Sequence, residues 1–318
     1  MNELSARLAA GDLVTLDGAI STEIQRRGVV LDKTSWASRA TLEHPDIVRE
    51  MHAEYIRAGA DVITANTYGA GFVVLKAAGM DDDEIDHINR RAVELAIEGR
   101  DLAAADRPVW IAGSLSSMPP LDGEQVAPTG PEAASGYRRQ GEVVTQAGVD
   151  LVITEMMLDI PNATIVTEAA LATGLPVWHG FSAELSEDGQ SVVEWRENFF
   201  AYPCEPFDEL VGTITAMGGE AAGIMHSYTP ATTLALEVVR AQWSGPLIAY
   251  AETGHLHGPD WVFEEVISPD DYAAQAKLWI ESGVQIIGGC CGTNPEHIRK
   301  LRETLHPAAQ PDNGGARS

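Results

Sequence analysis

Eight apolar segments recur along the chain, and helical patterns fill most of the intervals between them. Three of these intervals close in the same way, with a helical segment, a glycine (Gly59, Gly148 or Gly283) and then an apolar run. Glycine is favoured just after a helix, and apolar runs with little alternation are typical of parallel strands buried on both faces. Eight strand–helix units in 318 residues predict an α/β protein with a single (β/α)8 TIM barrel.

The segments assigned to strands and helices are short and well separated. The predicted strands cover residues 13–19, 61–68, 109–115, 151–156, 177–183, 222–227, 247–253 and 285–291. Two helices are marked by apolar faces, one with Pro45 in its first turn followed by Ile47, Met51, Tyr55 and Ile56, the other with Ile85, Ile88, Ala92, Leu95 and Ala96. No change of composition marks a linker. We therefore predict one barrel domain over residues 1–306 and a disordered tail over 307–318, which is rich in Pro, Gly, Asn and Ala.

Charge and cysteine content restrict the partners and the compartment. The formal net charge of −26 repels nucleic acid phosphates and anionic lipid, so neither is expected as a partner. Three cysteines give no disulfide framework, the first residues do not have the pattern of a signal peptide, and no apolar run is long enough to span a membrane. We predict a cytoplasmic protein that is a monomer or a small homo-oligomer and acts on small molecules.

Polar residues stand near the carboxyl ends of all eight predicted strands. In a (β/α)8 barrel these ends meet at one mouth, where the active sites of such enzymes lie. The polar residues are Asp17, Asn66, Thr67, Tyr68, Ser114, Glu155, Ser182, His226, Ser227, Glu252, Thr253, Cys290 and Cys291. So many polar groups at one mouth favour an active site over a simple binding scaffold.

Cys290 and Cys291 lie in the run Gly288-Gly289-Cys290-Cys291-Gly292-Thr293. Adjacent cysteines rarely form a disulfide with each other, because the small ring strains the peptide. A regular strand would direct their side chains to opposite faces, but glycines on both sides allow the backbone to curl. Both sulfurs can then bind one zinc ion as thiolates. The alternative is a pair of small core residues at a strand end.

With these segments, the chain resembles the homocysteine S-methyltransferase family. The residues that carry the resemblance lie at 17–23, 66–69, 112–114, 147–155 and 288–298, within a match from about residue 11 to 305. The resemblance implies a zinc-bearing barrel that methylates the sulfur of homocysteine to give methionine. It also implies that Cys290 and Cys291 bind zinc and that Asp17 and Glu155, as catalytic residues, face the amino group of the substrate. The substrate pocket is predicted to include Asp17, Asn66, Thr67, Tyr68, Ser114, Glu155 and Glu252.

The chain departs from the family pattern at the third zinc ligand. The family has a cysteine at the end of the sixth strand, where this chain has His226. Imidazole is a good zinc ligand, so we predict a site of His226, Cys290 and Cys291. One alternative is that His226 only forms a hydrogen bond in the mouth and that the metal is weakly bound or absent. Another is that Cys204 or Glu252 completes the site. Glu252, where the family has asparagine, could instead bind a cationic donor or remain solvated.

Three functions are consistent with these residues. The first is methylation of homocysteine by a small onium donor, S-methylmethionine or S-adenosylmethionine, because the chain ends soon after its eighth unit and leaves no room for folate or cobalamin modules. The second is a family member that methylates another thiol or a selenol, or that demethylates a sulfonium or betaine compound. The third is a barrel that binds a metal or an amino acid without catalysis.

Overall fold

The computed structural model describes residues 2–32, 34–103, 105–117, 130–194, 206–257, 262–264 and 266–305. Cys204 and the predicted tail at 307–318 lie outside these residues. The strands are β1 Val14–Thr15, β2 Val62–Thr64, β3 Trp110–Ser116, β4 Leu151–Met157, β5 Val177–Phe181, β6 Ala183–Leu185, β7 Val192–Glu194, β8 Ala221–Tyr228, β9 Leu247–Glu252, β10 His255–His257, β11 Val262–Glu264 and β12 Val284–Ile287.

The α-helices of the described residues lie mainly between successive strands of the barrel. They are α1 Glu3–Ala9, α2 Ser21–Arg26, α3 Ala40–Glu43, α4 Pro45–Ala58, α5 Phe72–Ala77, α6 Asp82–Ala103, α7 Pro131–Ala147, α8 Ile160–Ala172, α9 Phe207–Ala216, α10 Thr229–Gln242, α11 Pro269–Glu281 and α12 Pro295–Leu305. Gly59 and Gly148 follow α4 and α7 in the left-handed conformation, which confirms the predicted glycine ends of these helices. None of the described helices is long and apolar enough to cross a membrane.

The predicted (β/α)8 barrel is confirmed. Eight parallel strands are ordered β1-β12-β9-β8-β5-β4-β3-β2. A parallel bridge between Leu16 and Val62 joins the two ends of this sheet. The barrel interior is filled by a cluster that includes Trp110, Trp178 and Ile286, and Leu4 and Leu8 of α1 pack against it. A larger apolar layer lies between the strands and the surrounding helices.

Three strands are markedly shorter than predicted. The predicted strand at 13–19 ends at Thr15. The predicted strand at 61–68 ends at Thr64, and Tyr68 begins a short 3-10 helix, Tyr68–Ala70. The predicted strand at 285–291 ends at Ile287, before the glycine–cysteine run. In the second and third of these places the chain leaves the sheet before the predicted functional residues begin. These residues therefore lie on irregular backbone above the barrel, where side chains are not bound to alternate between faces.

Two hairpins at the mouth were not predicted. β6 pairs with β7, and β10 pairs with β11, each in antiparallel fashion. The first hairpin has a recognisable signal, because Asp188-Gly189 is a common turn pair and Gly189 adopts a positive φ of 66°. Its strands are only three residues long, so the alternation of polar and apolar residues gives little indication of them.

Candidate functional site

A small cavity opens at the carboxyl ends of the barrel strands. The described residues that line it are Ala19, Ile20, Ser21, Trp36, Thr64, Asn66, Tyr68, Glu155, His226, Tyr250, Cys290 and Cys291. Six of the predicted site residues are thus brought together. Asp17, Thr67, Ser114 and Glu252 are not part of this lining.

The glycines before the two cysteines allow the chain to pass very close to β1. A Cβ atom on Gly288 would lie only 2.6 Å from Cβ of Leu16 and 2.7 Å from the carbonyl oxygen of Asp17. Beyond it, the backbone N–H of Cys290 donates to the carbonyl oxygen of Ala251 at 2.8 Å. This close approach carries Cys290 and the next residue into the mouth of the barrel.

The two thiols lie side by side at the base of the cavity. The Sγ atoms of Cys290 and Cys291 are 3.9 Å apart, and both residues are buried. Neither cysteine forms a disulfide. Burial raises the pKa of Cys290 well above its usual range in the metal-free chain, and the neighbouring thiol acts in the same direction. A metal ion or another positive charge is therefore needed to hold this sulfur as a thiolate.

His226 stands at an irregular point of β8. The register with β9 shifts between Met225 and Tyr228, and His226 has a positive φ of 46°, which is rare for a residue other than glycine. This conformation places Nδ1 of His226 3.4 Å from Sγ of Cys290. The opposite ring nitrogen, Nε2, lies 3.3 Å from Oε2 of Glu155. The imidazole thus lies between a thiol and a carboxyl group.

Tyr68 holds the plane of this imidazole. The two rings stack with centroids 4.8 Å apart and an angle of 19° between their planes. Burial lowers the pKa of His226, but Cys290 and Glu155 outweigh it and hold the pKa well above the usual value in the metal-free chain. The charged neighbours of the ring thus determine its protonation until a metal ion is bound.

Glu252 brings a carboxylate to the same point from the end of β9. Its Oε1 lies 3.9 Å from Nδ1 of His226, and the carboxylate is hydrogen-bonded to the thiol of Cys291. Burial raises the pKa of Glu252 to about 7, although His226 and that hydrogen bond act in the opposite direction. The carboxylate is largely buried and is directed into the protein, unlike the solvated strand-end group considered above.

Four potential metal-ligand atoms meet here, contributed by His226, Glu252, Cys290 and Cys291, and all lie within 4.8 Å of one another. In a tetrahedral zinc site two sulfurs are about 3.8 Å apart and a nitrogen and a sulfur about 3.5 Å apart, given bonds of about 2.3 and 2.0 Å. The observed separations of 3.9 Å for the two sulfurs and 3.4 Å for nitrogen and sulfur agree with these values. The residues therefore fit a single metal ion.

Asp17 lies beneath the cavity and is fully buried. It accepts hydrogen bonds from the backbone N–H of Thr64 at 2.7 Å and from the hydroxyl of Tyr250 at 3.3 Å. Burial raises the pKa of Asp17 to about 8, and the nearby Glu155 contributes in the same direction. Asp17 does not touch the cavity directly. It is linked to it by its hydrogen bonds to Thr64 and Tyr250, which both line the cavity.

Three other predicted site residues form hydrogen bonds within the protein. Thr67 and Ser114 are paired, since Oγ1 of Thr67 donates to the carbonyl oxygen of Ser114 and accepts from its N–H. Asn66 lines the cavity, but its Nδ2 donates to Ala37 and Thr41. These bonds fix the loop after β2. The contact of the three residues with substrate remains a prediction.

Trp36, Thr64 and Tyr250 were absent from the predicted site. Thr64 and Tyr250 are interior residues of predicted strands and could have been found from the alternation of side chains around the barrel. Trp36 lies in the loop after β1 and has a positive φ of 53°, which no feature of the sequence indicates. Of the non-glycine residues described, only Trp36, Met156 and His226 have a positive φ. Trp36 and His226 line the cavity, and the hydroxyl of Tyr68 donates to the sulfur of Met156.

The family model for homocysteine S-methyltransferase matches residues 14–305. This chain belongs to the homocysteine S-methyltransferase family. The match includes every barrel strand and every side chain of the cavity. Members of this family are enzymes, which argues against the non-catalytic barrel considered from the sequence.

Individual relatives cover almost the whole chain. A selenocysteine methyltransferase of Astragalus bisulcatus is 28% identical over 95% of each chain. The homocysteine S-methyltransferase YbgG of Bacillus subtilis is 25% identical and covers 95% of this chain and 97% of its own. The metallated crystal structure of the Escherichia coli homocysteine methyltransferase MmuM superposes with a TM-score of 0.74 at 26% identity, covering 95% of this chain and 99% of that one. That solved relative contains a metal in a barrel of the same fold.

Proposed function

We propose that this protein is a zinc-dependent methyltransferase that moves a methyl group from S-methylmethionine or S-adenosylmethionine to the thiol of homocysteine. The observation that carries the proposal is the meeting of the ligand atoms of His226, Cys290 and Cys291 beside a cavity, in a member of this family. His226, Cys290 and Cys291 would hold the zinc ion, and the carboxylate of Glu252 would be available as a fourth ligand in the absence of substrate.

When bound, zinc lowers the pKa of a coordinated thiol, so that the sulfur is available as a nucleophile at neutral pH. His226 is neutral where cysteine would contribute a negative charge. The set of His226, Cys290 and Cys291 therefore leaves the site about one charge more positive than three thiolates. We expect the substrate thiol to ionise more readily here and its sulfur to be a weaker nucleophile. A donor with a very good leaving group compensates for that loss.

In the reaction, the sulfur of homocysteine forms a bond to the methyl carbon of the donor. The bond between that carbon and the positively charged sulfur of the donor breaks, and its electron pair leaves with the donor as a neutral thioether. One proton is released from the substrate thiol. The rings of Trp36 and Tyr68 line the cavity and are suited to a cationic donor through cation–π attraction.

Asp17 and Glu155 are proposed to recognise the amino group of homocysteine. Glu155 lines the cavity directly, and Asp17 acts from below through Tyr250. Asn66 and Tyr68 also line the cavity, and this supports a pose in which the amino and carboxyl groups of homocysteine lie between the loop after β2 and the metal ligands. Such alignment of sulfur, methyl group and leaving group supplies much of the rate in a bimolecular transfer.

The proposal is tested by incubating reduced, zinc-loaded protein with homocysteine and each donor separately, and measuring methionine by mass spectrometry. We expect methionine with at least one donor and a large loss in His226→Ala. His87→Ala is the matched control, because His87 is exposed on α6. The absence of methionine with every donor would contradict the proposal.

Zinc content separates the possible third ligands. We expect about one zinc per chain in the native protein and its loss in His226→Ala. Zinc retained by that variant would transfer the third-ligand role to Glu252 or to Cys204.

A second candidate is methylation of a different thiol or of a selenol. The replacement of a thiolate by His226 weakens the nucleophile that is bound at the metal, and this favours a selenol as acceptor, because selenium is a stronger nucleophile than sulfur. The similarity to the selenocysteine methyltransferase of Astragalus bisulcatus agrees with this alternative. Parallel rate measurements with homocysteine and selenocysteine decide between them, since a larger kcat/KM for selenocysteine would establish the second candidate.

A further inference from the structure

We infer that Glu155 is a positioning residue of the metal site, which holds His226 so that its Nδ1 atom is directed at the metal. This inference rests on the function proposed above. It assigns to Glu155 a task that exists only because this chain has histidine, and not cysteine, at the end of β8.

The two ring nitrogens of His226 have different partners. Nδ1 lies 3.4 Å from Sγ of Cys290 and 3.9 Å from Oε1 of Glu252, and so is directed into the ligand group. Nε2 lies 3.3 Å from Oε2 of Glu155, on the far side of the ring. A carboxylate can only accept hydrogen bonds, so Nε2 keeps its hydrogen and Nδ1 is the nitrogen that would give up its proton to bind a metal. Glu155 therefore selects the nitrogen that binds.

Stacking alone cannot make this selection. Tyr68 stacks on the face of His226 and fixes the plane of the ring. A rotation of the ring by half a turn about its Cβ–Cγ bond would preserve this stacking. Such a turn would direct a carbon at Cys290 and would leave Glu155 without its donor. The two edges of the imidazole are thus distinguished by the hydrogen bond to Glu155 on one side and by the contact of Nδ1 with Cys290 on the other. Histidine ligands in metal sites commonly need an outer carboxylate of this kind.

The backbone at His226 makes the hydrogen bond more important. The residue sits in the left-handed region at φ 46°, at a shift in the register between β8 and β9. Regular pairing therefore does not hold this part of the strand in place. Glu155 comes from β4, which is separated from β8 by β5 alone, and it is buried and paired with Ser116 of β3, so it provides a fixed point for the ring.

The test compares zinc affinity, measured by competition with a chromophoric chelator, in two backgrounds. In the native chain we expect Glu155→Ala to weaken zinc binding by about 10- to 100-fold, as for other outer carboxylates. Glu155→Gln keeps an oxygen that accepts from Nε2, so we expect a smaller loss. In the His226→Cys background the side chain has no second nitrogen, and Glu155→Ala should leave zinc affinity unchanged. Glu142→Ala, on the exposed side of α7, is the control.

Isotope-edited NMR of the zinc-loaded protein gives a second measurement, since the hydrogen on the imidazole of His226 should be found on Nε2. Glu155→Ala with native zinc affinity would overturn the inference, and so would an equal loss of affinity in both backgrounds, which would indicate a general structural role. A native chain that binds no zinc at all would instead overturn the proposed function.

Discussion

Arg302 in the last helix donates to Asp61 at the start of β2, with its Nη1 atom 3.0 Å from Oδ2 of the carboxylate. Asp61 is almost fully buried and also accepts from Arg107 at 3.2 Å and from the backbone N–H of Thr15 at 3.1 Å. Arg7 lies 3.8 Å away. One carboxylate thus joins α12 to α1 and β1 at the bottom of the barrel, opposite the metal-ligand group.

Replacement of this carboxylate should destabilise the barrel as a whole. We expect Asp61→Asn to lower the free energy of unfolding by about 2–3 kcal/mol, because hydrogen bonds to charged groups are the stronger kind and several are lost. Urea denaturation followed by circular dichroism measures the change. Asp46→Asn is the matched control, since Asp46 forms an exposed pair with Arg49 and such pairs contribute at most about 1 kcal/mol. Equal losses in the two variants would contradict this interpretation of Asp61.

Because of His52, we expect the folded protein to be destabilised by acid. It is fully buried in α4, and neither ring nitrogen has a hydrogen-bond partner among the described residues. Burial lowers the pKa of His52 to about 3, with a further contribution from Arg27. Below pH 6.5 the imidazole of His52 is protonated in the unfolded chain, whereas in the folded chain it stays neutral until about pH 3. The free energy of unfolding therefore falls as the pH is lowered through this window, by up to about 1.4 kcal/mol per pH unit.

A leucine at this position should remove that dependence. We expect His52→Leu to flatten the stability curve between about pH 6.5 and 3 and to raise stability at neutral pH, since two unpaired buried nitrogens are removed. His87→Gln, at an exposed site on α6, should leave the curve as in the native protein. Denaturation series at several pH values measure both effects, and a native-like slope in His52→Leu would contradict the prediction.

For Asp17 we expect the opposite dependence of stability on pH. The pKa of this carboxyl group rises from 3.8 to about 8 on folding, chiefly through burial. Between those values the folded chain holds a proton that the unfolded chain releases, so this group lowers stability as the pH rises. We expect Asp17→Asn to be less affected by a change from pH 5 to pH 8 than the native metal-free protein. Asp83→Asn, which alters an exposed carboxylate, should behave like the native chain, and the same behaviour in Asp17→Asn would refute the prediction.

Gly288 should be essential for the position of the cysteines. Its hydrogen faces Leu16 and Asp17 so closely that an added methyl group forces the backbone to move. Overpacking of this kind costs about 1–3 kcal/mol. Because the shifted backbone displaces Cys290, we expect zinc to bind roughly tenfold more weakly. Gly71→Ala is the control, because a Cβ there would meet only ordinary contacts at 3.8 Å or more. Unchanged zinc affinity in Gly288→Ala, measured by chelator competition, would show that the loop adapts.

The sequence predicted the barrel because its strands are buried on both faces, so each one reads as an uninterrupted apolar run. It did not predict where the runs at 61–68 and 285–291 leave the sheet. Asn66 follows directly on Ala65, and local composition does not show that the strand has already ended there. The glycines before Cys290 allow a curl but do not specify that the strand ends at Ile287. The short hairpins were missed for a related reason, since three residues are too few to establish a period.

The site was predicted only in part. Cys290, Cys291 and His226 lie at the carboxyl ends of predicted strands, and shared strand ends were enough to bring them together. The pairing of Thr67 with the backbone of Ser114 depends on the exact turn after β2, which a list of polar residues does not specify. The stacking of Tyr68 on His226 and the position of Trp36 depend on unusual backbone conformations at His226 and Trp36, and these arise from the folded context.

The bridge between Leu16 and Val62 and the pairing of β1 with β12 have a consequence for biosynthesis. The backbone of Ala19 is bound to Thr293, 274 positions later, so the mouth of the barrel is complete only when the last strand has joined the first. A ribosome-bound chain that has not yet extruded this strand holds His226 and Glu252 but neither vicinal cysteine. The proposed set of metal ligands is therefore complete only after the last barrel strand has been made, and we expect metal binding to follow the closure of the barrel.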